Sequence, residues 1–334
     1  MKTLITGSTG FIGKHLVKTL VEQGRDVRCL VRKTSDKQYL EKLGVELFYG
    51  DLLNKNSLRG IVKGVNIVHH LAGEVYSPRS SNYYKINVDG TKNLLEVCLL
   101  QRIERFVFLS SIQAAGPSQK QGILLDERSP CKPITSYGKS KLEAEKLIYK
   151  RYKASALPTV IIRAPMVYGP GSLKCRSAAL FQRISKGNFR LIGKNDHLIS
   201  TCYIDNLVQG ILLTEKHKNA AGKTYFISDQ KAHTLLELSN TIAKELMVKL
   251  PIGRVPITAA YLITMILLIP NKIFNFSRLF SWDTMKEITN AWACNTSLVE
   301  SEMDYKPSID FNEGIRRTAL WFKKWGAIAS NEQC

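Results

Sequence analysis

A tyrosine and a lysine four residues apart are the side chains in this sequence best suited to moving a proton. Tyr137 and Lys141 lie in residues 136–152, which are rich in helix formers, so both leave the same helix face one turn apart. A cation held near a phenol lowers the pKa of that phenol from about 10 towards neutrality, which makes it an acid or base for a carbonyl oxygen. A serine hydroxyl can donate to the same oxygen and orient it, and Ser110 and Ser111 stand at the end of a predicted strand.

Three glycines near the amino terminus, Gly7, Gly10 and Gly13, are the second feature with a chemical use. They follow a short apolar run, residues 3–6, typical of a buried parallel strand, and precede an amphipathic segment, residues 11–23, typical of a helix. Glycines let the backbone approach a pyrophosphate, and the amides and dipole of a helix N-terminus favour negative charge. The pattern predicts a nucleotide site; an ordinary tight turn is the alternative.

The elements that must position these groups alternate along the chain. Apolar segments at residues 26–31, 45–49, 66–71, 105–109 and 159–162 predict strands, separated by helical stretches. This alternation is typical of a doubly wound parallel sheet, so the predicted fold class is α/β, of Rossmann type, with a smaller C-terminal substrate lobe. The predicted nucleotide-binding domain covers residues 1–165, with 201–222 returning to it. Residues 166–200 and 223–334 form the predicted substrate lobe.

Several motifs resemble those of the extended short-chain dehydrogenase/reductases, the NAD-dependent epimerase/dehydratase superfamily. Residues 6–13 match their Thr-Gly-x-x-Gly-x-x-Gly, residues 137–141 match their Tyr-x-x-x-Lys, and residues 203–207, Tyr-Ile-Asp-Asn-Leu, are similar to their Tyr-Val-Asp-Asp-Leu. The resemblance covers about residues 1–250. Residues 110–117, Ser-Ser-Ile-Gln-Ala-Ala-Gly-Pro, look closest to the 3β-hydroxysteroid dehydrogenase and dihydroflavonol reductase branch.

The resemblance implies roles for the matching residues. It implies Ser111, Tyr137, Lys141 and Asn87 as the catalytic set, with Asn87 supporting a proton-relay water; a plain helix-face asparagine is the alternative for Asn87. Lys141 would also hold the nicotinamide ribose. The residues implied to contact the cofactor belong to the glycine turn and to later strand ends: Gly7, Thr9, Gly10, Phe11, Ile12, Gly13, Asp51, Leu52, Leu71, Ala72, Gly73, Tyr137, Lys141, Pro165 and Val167.

Arg32 and Lys33 bear on the choice of cofactor. They follow the second predicted strand, where a dinucleotide fold faces the adenosine ribose. An acidic residue there accepts from a free 2′-hydroxyl, whereas an arginine accommodates a 2′-phosphate. The acid is missing, so the sequence favours NADP(H), with NAD as the alternative cofactor. A solvated basic loop in a basic protein is the other interpretation of the pair.

Two further positions bear on the substrate. Ile112 and Gln113 stand where sugar-nucleotide 4,6-dehydratases of this fold carry Asp-Glu, and Ile199 stands where many enzymes of UDP-sugars carry an arginine. We therefore expect an oxidoreductase that transfers a hydride between nicotinamide and a secondary alcohol or ketone of an apolar substrate, steroid-, lipid- or flavonoid-like. A nucleotide-sugar epimerase or reductase and a cofactor-binding sensor without turnover are the alternatives.

Composition bears on the other classes of partner. The 334 residues are 44% hydrophobic and carry a net charge of +20, all of it from residues 1–256. The basic residues are dispersed, so no nucleic-acid partner is expected. The cysteines lack metal-ligand spacing, and the adjacent His69 and His70 point to opposite faces of a strand, so no metal site is expected. No signal peptide precedes the first strand, and a cytoplasmic location is expected.

One apolar segment does not belong to the catalytic pattern. Residues 257–269, 13 uncharged residues between Pro256 and Pro270, predict a helix. Such a helix is about 20 Å long, whereas the hydrocarbon core of a membrane is ~30 Å thick. Residues 272–282 interleave aromatics with two cations, as segments in a lipid headgroup layer do. We expect residues 257–282 to form a flap that touches the membrane; a core helix beside a surface loop is the alternative. A homodimer is left open.

Overall fold

The computed structural model describes residues 1–77, 79–118, 120, 122–155, 157–173, 175–193, 197–250, 253–274 and 281–331, without side chains at 267–274 and 326–331. The strands are β1 Lys2–Thr6, β2 Asp26–Val31, β3 Glu46–Tyr49, β4 Ile67–His70, β5 Arg105–Ser111, β6 Thr159–Ala164, β7 Met166–Tyr168, β8 Leu191–Ile192, β9 Leu198–Ile199, β10 Thr201–Tyr203, β11 Thr224–Phe226, β12 His233–Thr234 and β13 Arg254–Val255.

The helices alternate with these strands and then dominate the C-terminal third. They are α1 Phe11–Glu22, α2 Gln38–Lys42, α3 Ser80–Tyr84, α4 Gly90–Cys98, α5 Ile112–Ala115, α6 Ser136–Ser155, α7 Arg176–Ser185, α8 Ile204–Lys216, α9 Leu235–Leu246, α10 Ile257–Phe274, α11 Trp282–Ile288, α12 Ser297–Met303 and α13 Phe311–Asn331. A π-helical turn, Lys85–Asp89, joins α3 to α4.

Seven strands form one parallel sheet in the order β3-β2-β1-β4-β5-β6-β11. Successive residues of β1 serve different cores: Ile5 packs with Leu16 of α1, and Leu4 packs with Leu94 of α4. Both faces are covered by helices, which is why the strands read as continuous apolar runs. The predicted Rossmann-type class is confirmed, and the predicted strands agree with the observed ones to within two residues.

One strand departs from the predicted division into lobes. β11 lies in the range 223–334 assigned to the substrate lobe, yet it pairs with β6 at the edge of the large sheet. The sequence did not predict this strand because three residues are too few to show a periodicity. The complete burial of Tyr225 and Phe226 comes from tertiary packing, which the local sequence does not reveal. The short pairs β7–β10, β8–β13 and β9–β12 lie outside the large sheet.

Helix α10 is longer than predicted. It runs through Pro270 to Phe274, so the prediction of an end at residue 269 was wrong. A proline removes one backbone donor and crowds the preceding turn, which a helix absorbs by bending. Residues 275–280, part of the predicted flap, lie outside the described residues. Within the part of the chain that is described, no helix is both long and apolar enough to span a membrane.

Candidate active site

The glycine turn joins β1 to α1 and forms one end of a large cavity. Gly7 adopts a φ of +75°, and its carbonyl accepts a hydrogen bond from the Gly10 amide at 3.0 Å. A Cβ at Gly13 would lie 2.1 Å from the same carbonyl, so only glycine fits. The N-cap residue of α1, Gly10, provides no side-chain cap. The turn therefore presents backbone at a helix N-terminus, the cradle that a pyrophosphate requires.

The cavity has a volume of about 970 Å³ and runs from the glycine turn to the C-terminal helices. Arg32 and Lys33 are both exposed, but Arg32 lines the cavity, whereas Lys33 is not part of its wall. The other predicted site residues in the wall are Gly7, Thr9, Gly10, Phe11, Ile12, Gly13, Asp51, Leu52, Leu71, Ala72, Gly73, Ser111, Tyr137, Pro165 and Val167. The fold thus gathers strand ends from across the sheet around one space.

Two adjacent serines at the end of β5 have different surroundings. Ser110 is buried and donates to the Glu145 carboxylate, which also binds Arg163. Ser111 lines the cavity, accepts from the Gln113 amide at 3.2 Å and is hydrogen-bonded to the Tyr137 phenol. Alternation along the strand separates them, so Ser111 is the serine beside the tyrosine.

Lys141 lies behind the cavity wall and is 3% exposed. Its Nζ donates to the Leu109 carbonyl at 2.6 Å and sits 4.1 Å from the centre of the Phe108 ring. Burial lowers the pKa of Lys141 from 10.5 to about 7, against the opposing field of Glu145. A Cβ built at Gly73 would be 3.8 Å from Nζ, so only the thin backbone of the β4 end separates the lysine from the cavity.

The phenol of Tyr137 does not have the lowered pKa that its spacing from Lys141 suggests. Burial raises the pKa of Tyr137 from 10.0 to about 12, although the Ser111 hydrogen bond and the Arg176 charge both lower it. The prediction of a pKa near neutrality is therefore wrong for this structure. The physical reason is that desolvation of the phenol outweighs the Ser111 hydrogen bond and the Arg176 charge. The Lys141 ammonium is directed at the Leu109 carbonyl and the Phe108 ring and not at the phenol.

Asn87 is buried within the π-helical turn and is linked by a hydrogen bond to α6. Its Oδ1 accepts from the Glu74 amide at 2.8 Å, and its Nδ2 donates to the Glu74 carbonyl at 3.1 Å and to the Ser140 hydroxyl at 2.9 Å. Ser140 in turn donates to the Tyr137 carbonyl at 2.7 Å. Asn87 is therefore not a solvated helix-face residue; π-turns are frequent at functional sites.

His69 and His70 point to opposite faces of β4, as predicted. His69 Nε2 lies 2.7 Å from the Glu215 carboxylate. His70 Nε2 lies 2.9 Å from the Thr91 hydroxyl, which itself donates to the Asn87 carbonyl, so Nε2 must carry the proton. Nδ1 then accepts from the Thr6 hydroxyl at 2.7 Å. Burial lowers the pKa of His70 from 6.5 to about 3, which matches this neutral tautomer.

Sequence reasoning missed the polar group at the substrate end of the cavity. The Thr135 hydroxyl donates to Gln113 Oε1 at 2.6 Å, and Gln113 Nε2 donates to the Glu287 carboxylate at 2.8 Å. Glu287 also pairs with Arg176, whose guanidinium lies 5.2 Å from the centre of the Tyr76 ring. These side chains come from segments far apart in sequence, so no local spacing pointed to them.

Comparison with known proteins gives the following similarities. The profile of the 3-beta hydroxysteroid dehydrogenase/isomerase family matches residues 4–256. The 2-alkyl-3-oxoalkanoate reductase of Stenotrophomonas maltophilia is 31% identical over 250 residues, 72% of this chain and 74% of that protein. The UDP-glucose 4-epimerase of Vibrio cholerae is 29% identical over 330 residues, 96% and 94% of the two chains.

A solved structure shares the architecture. The UDP-glucose 4-epimerase of Thermus thermophilus, in complex with NAD, superposes with a TM-score of 0.78 at 22% identity and covers 97% of this chain and 99% of that one. At this identity the likeness concerns the fold alone.

Proposed function

We propose, since the chain belongs to the 3-beta hydroxysteroid dehydrogenase/isomerase family, that it is an NADP(H)-dependent reductase of an apolar ketone. Membership in this family of extended short-chain dehydrogenase/reductases makes it an NAD(P)-dependent enzyme acting on CH–OH groups. The observation that carries the proposal is the meeting of Ser111 and Tyr137 on one cavity wall, with Lys141 buried directly behind it.

The chain's own groups supply the proton chemistry. When bound, the nicotinamide supplies or accepts the hydride. The Ser111 hydroxyl orients a carbonyl oxygen by donating to it, and the Tyr137 phenol gives that oxygen a proton. A phenol with a pKa of about 12 stays protonated at neutral pH, which suits it to act as the acid in ketone reduction. In the oxidising direction the same pKa requires higher pH, because the phenolate is then the base.

The substrate end of the cavity favours an apolar molecule that also carries an anionic group. Met166, Leu180, Phe189, Ile192 and Trp292 contribute apolar wall.

Cations stand beside this apolar wall. Arg176 and Arg183 both line the cavity and stand seven residues apart on α7, so they share one face of the helix. Glu287 pairs with Arg176 and neutralises its charge. The guanidinium of Arg183 is partly desolvated, because burial lowers its pKa. A 2-alkyl-3-oxoalkanoate, the class named for the 31%-identical reductase, combines these properties, and we propose such a compound with a long alkyl chain as the substrate class.

The direct experiment measures NADPH consumption with a panel of ketones. We expect turnover of a long-chain 2-alkyl-3-oxoalkanoate and slower turnover of its methyl ester. Arg183→Gln should raise KM for the acid roughly tenfold or more and leave the ester unchanged, because a charge-assisted hydrogen bond contributes about 1.5–3 kcal/mol. Lys186→Gln, an exposed cation at the end of the same helix, is the matched control.

A nucleotide-sugar epimerase is the second candidate, and the similarity to the Vibrio enzyme over 96% of this chain favours it. The epimerase is favoured over the reductase if the protein interconverts UDP-glucose and UDP-galactose and does not consume NADPH with any ketone of the panel. Ile199 lines the cavity where an arginine would serve a diphosphate, and this counts against the epimerase.

Cofactor preference has its own test at Arg32. Arg32 lines the cavity and Lys33 does not, so Arg32→Gln should weaken the preference for NADPH over NADH by about ten- to a hundredfold, while Lys33→Gln should change it little. Titration of both cofactors against intrinsic fluorescence measures this. Tighter binding of NADH by the wild type would contradict the NADP(H) assignment.

A further inference from the structure

Helix α10 leaves apolar side chains exposed on most of its described surface. Between residues 257 and 266 only Ala260 and Thr264 are buried, four residues apart on one narrow strip. The exposed apolar side chains, with Trp282 of α11, are here called the α10 face: Ile257, Tyr261, Leu262, Ile263, Met265, Ile266 and Trp282. A surface helix normally turns polar residues to water, and a contiguous apolar patch marks an interaction site.

The surroundings of the α10 face have the composition of a membrane interface. The ring centres of Tyr261 and Trp282 lie 6.0 Å apart, where α11 packs against α10. Two exposed guanidiniums stand beside the start of the helix: Arg254 donates to the Gly193 carbonyl, and Arg190 packs along Gly253. Aromatic rings and cations around an apolar helix face fit the boundary between acyl chains and anionic headgroups.

The α10 face also borders the substrate end of the cavity. α11 packs against α10, and its residues Thr284, Glu287 and Ile288 line the cavity. On the other side, Ile192 lines the cavity from β8, which pairs with β13, the strand that leads directly into α10. A surface resting on this face would therefore stand next to the substrate end of the cavity.

We propose that the α10 face docks on a lipid bilayer rich in anionic headgroups, so that an apolar substrate passes from the bilayer into the cavity. The net charge of +20 and the arginines at the edge of the face supply charge complementarity to such a surface. The exposed side chains insert into the boundary layer, and the helix lies along it without crossing. Docking is a binding property and does not depend on which ketone is reduced.

Co-sedimentation of the full chain with vesicles tests the proposal. We expect at least tenfold more binding to phosphatidylcholine vesicles containing phosphatidylglycerol than to phosphatidylcholine alone. The variant Leu262→Gln, Met265→Gln, Ile266→Gln should lose at least tenfold, since it removes three of the most exposed apolar side chains and retains good helix formers. The control Leu100→Gln, Ile123→Gln, Leu320→Gln, with comparable exposure elsewhere, should bind like the wild type.

Two further measurements keep the outcome decisive. Unchanged thermal unfolding and NADPH affinity of the α10 variant show that it is folded, and Arg190→Gln, Arg254→Gln should remove most of the preference for anionic vesicles. Wild type that stays in the supernatant, or an α10 variant that pellets equally well, overturns the proposal. So does a lipid-free dimer that the α10 variant dissociates, because the face is then an interface between two copies of the chain.

Discussion

At the scale of single residues, the proposed ketone reduction depends on Tyr137. Its phenol faces the cavity beside Ser111, and its backbone carbonyl accepts from Ser140, which Asn87 holds in place. Hydrogen bonds thus hold Tyr137 both at its phenol and at its backbone carbonyl. In the proposed reduction, the raised pKa of the phenol keeps it protonated at neutral pH, so that it can donate to the substrate oxygen.

Replacing Tyr137 by phenylalanine should abolish ketone reduction and leave NADPH affinity nearly unchanged, because only the proton donor is removed. The expected loss in kcat is ~10²–10⁴-fold, the usual contribution of positioned proton transfer. Tyr83→Phe is the matched control: its ring centre lies 6.0 Å from that of Tyr137, and its hydroxyl accepts from the Ser77 amide. Retention of more than about a tenth of the rate in Tyr137→Phe rules the phenol out as the acid.

His70 makes the stability of the folded chain depend on pH. Its pKa is about 3 when folded and ordinarily 6.5, so between these values the unfolded chain binds a proton that the folded chain does not. The contribution of this neutral imidazole to stability is therefore fully present above pH 6.5 and is lost as the pH drops towards 3, an amount on the order of a few kcal/mol. Urea unfolding at several pH values measures this. The free energy of unfolding should change less steeply with pH in His70→Gln than in the wild type. Equal slopes in the two proteins would contradict the burial of a neutral imidazole.

At the scale of elements, the short helix α11 holds the start of α6. Asp283 accepts from the Ser136 amide at 2.8 Å, and Lys286 donates to the Ile134 carbonyl at 3.0 Å. Glu287 accepts from Gln113, which in turn accepts from Thr135 just before α6. α11 therefore joins the C-terminal part of the chain to the first turn of α6.

Asp283→Ala should destabilise the chain by about 0.5–2 kcal/mol, the cost of losing a side-chain acceptor at a helix N-terminus. It should also lower kcat, since Ser136 is adjacent to Tyr137. Glu143→Ala, which removes an exposed i,i+3 ion pair of α6, should cost less than about 0.5 kcal/mol. The comparison is made by urea unfolding. Equal effects of the two substitutions would mean that α11 does not support α6.

At the scale of the whole molecule, one hydrophobic core spans both predicted lobes. It contains Ile5 and Val107 of the large sheet, Phe181 of α7, Leu238 of α9 and Ile315 of α13. The cavity lies over this core, between the strand ends and the C-terminal helices. Its cofactor end includes the exposed backbone of the glycine turn, whereas its substrate end is lined by side chains of α7 and α11.

NADPH should stabilise the folded chain, because the cradle of the glycine turn exists only when β1 and α1 are in place. At a hundredfold excess over Kd, the free energy of unfolding should rise by about 2.7 kcal/mol, with a higher Tm. Thermal unfolding with NADPH, NADH and UDP-glucose measures this, and UDP-glucose alone should give no shift. An unchanged Tm in saturating amounts of both dinucleotides would contradict nucleotide binding.

Local sequence was sufficient for six of the seven strands of the large sheet and for the glycine turn. The strands are buried on both faces and so appear as apolar runs, and the approach of Gly13 to Gly7 allows no side chain. The sequence also placed Tyr137 and Lys141 on one helix, α6, because helical periodicity is a local property.

Only the tertiary structure decided the properties that depend on distant neighbours. Burial raised the pKa of Tyr137, and Gln113, Arg176 and Glu287 meet although they belong to α5, α7 and α11. The seventh strand and the continuation of α10 through Pro270 likewise followed from packing rather than from periodicity. Desolvation and long-range contacts depend on which segments come together, and the spacing of residues along the chain does not contain that information.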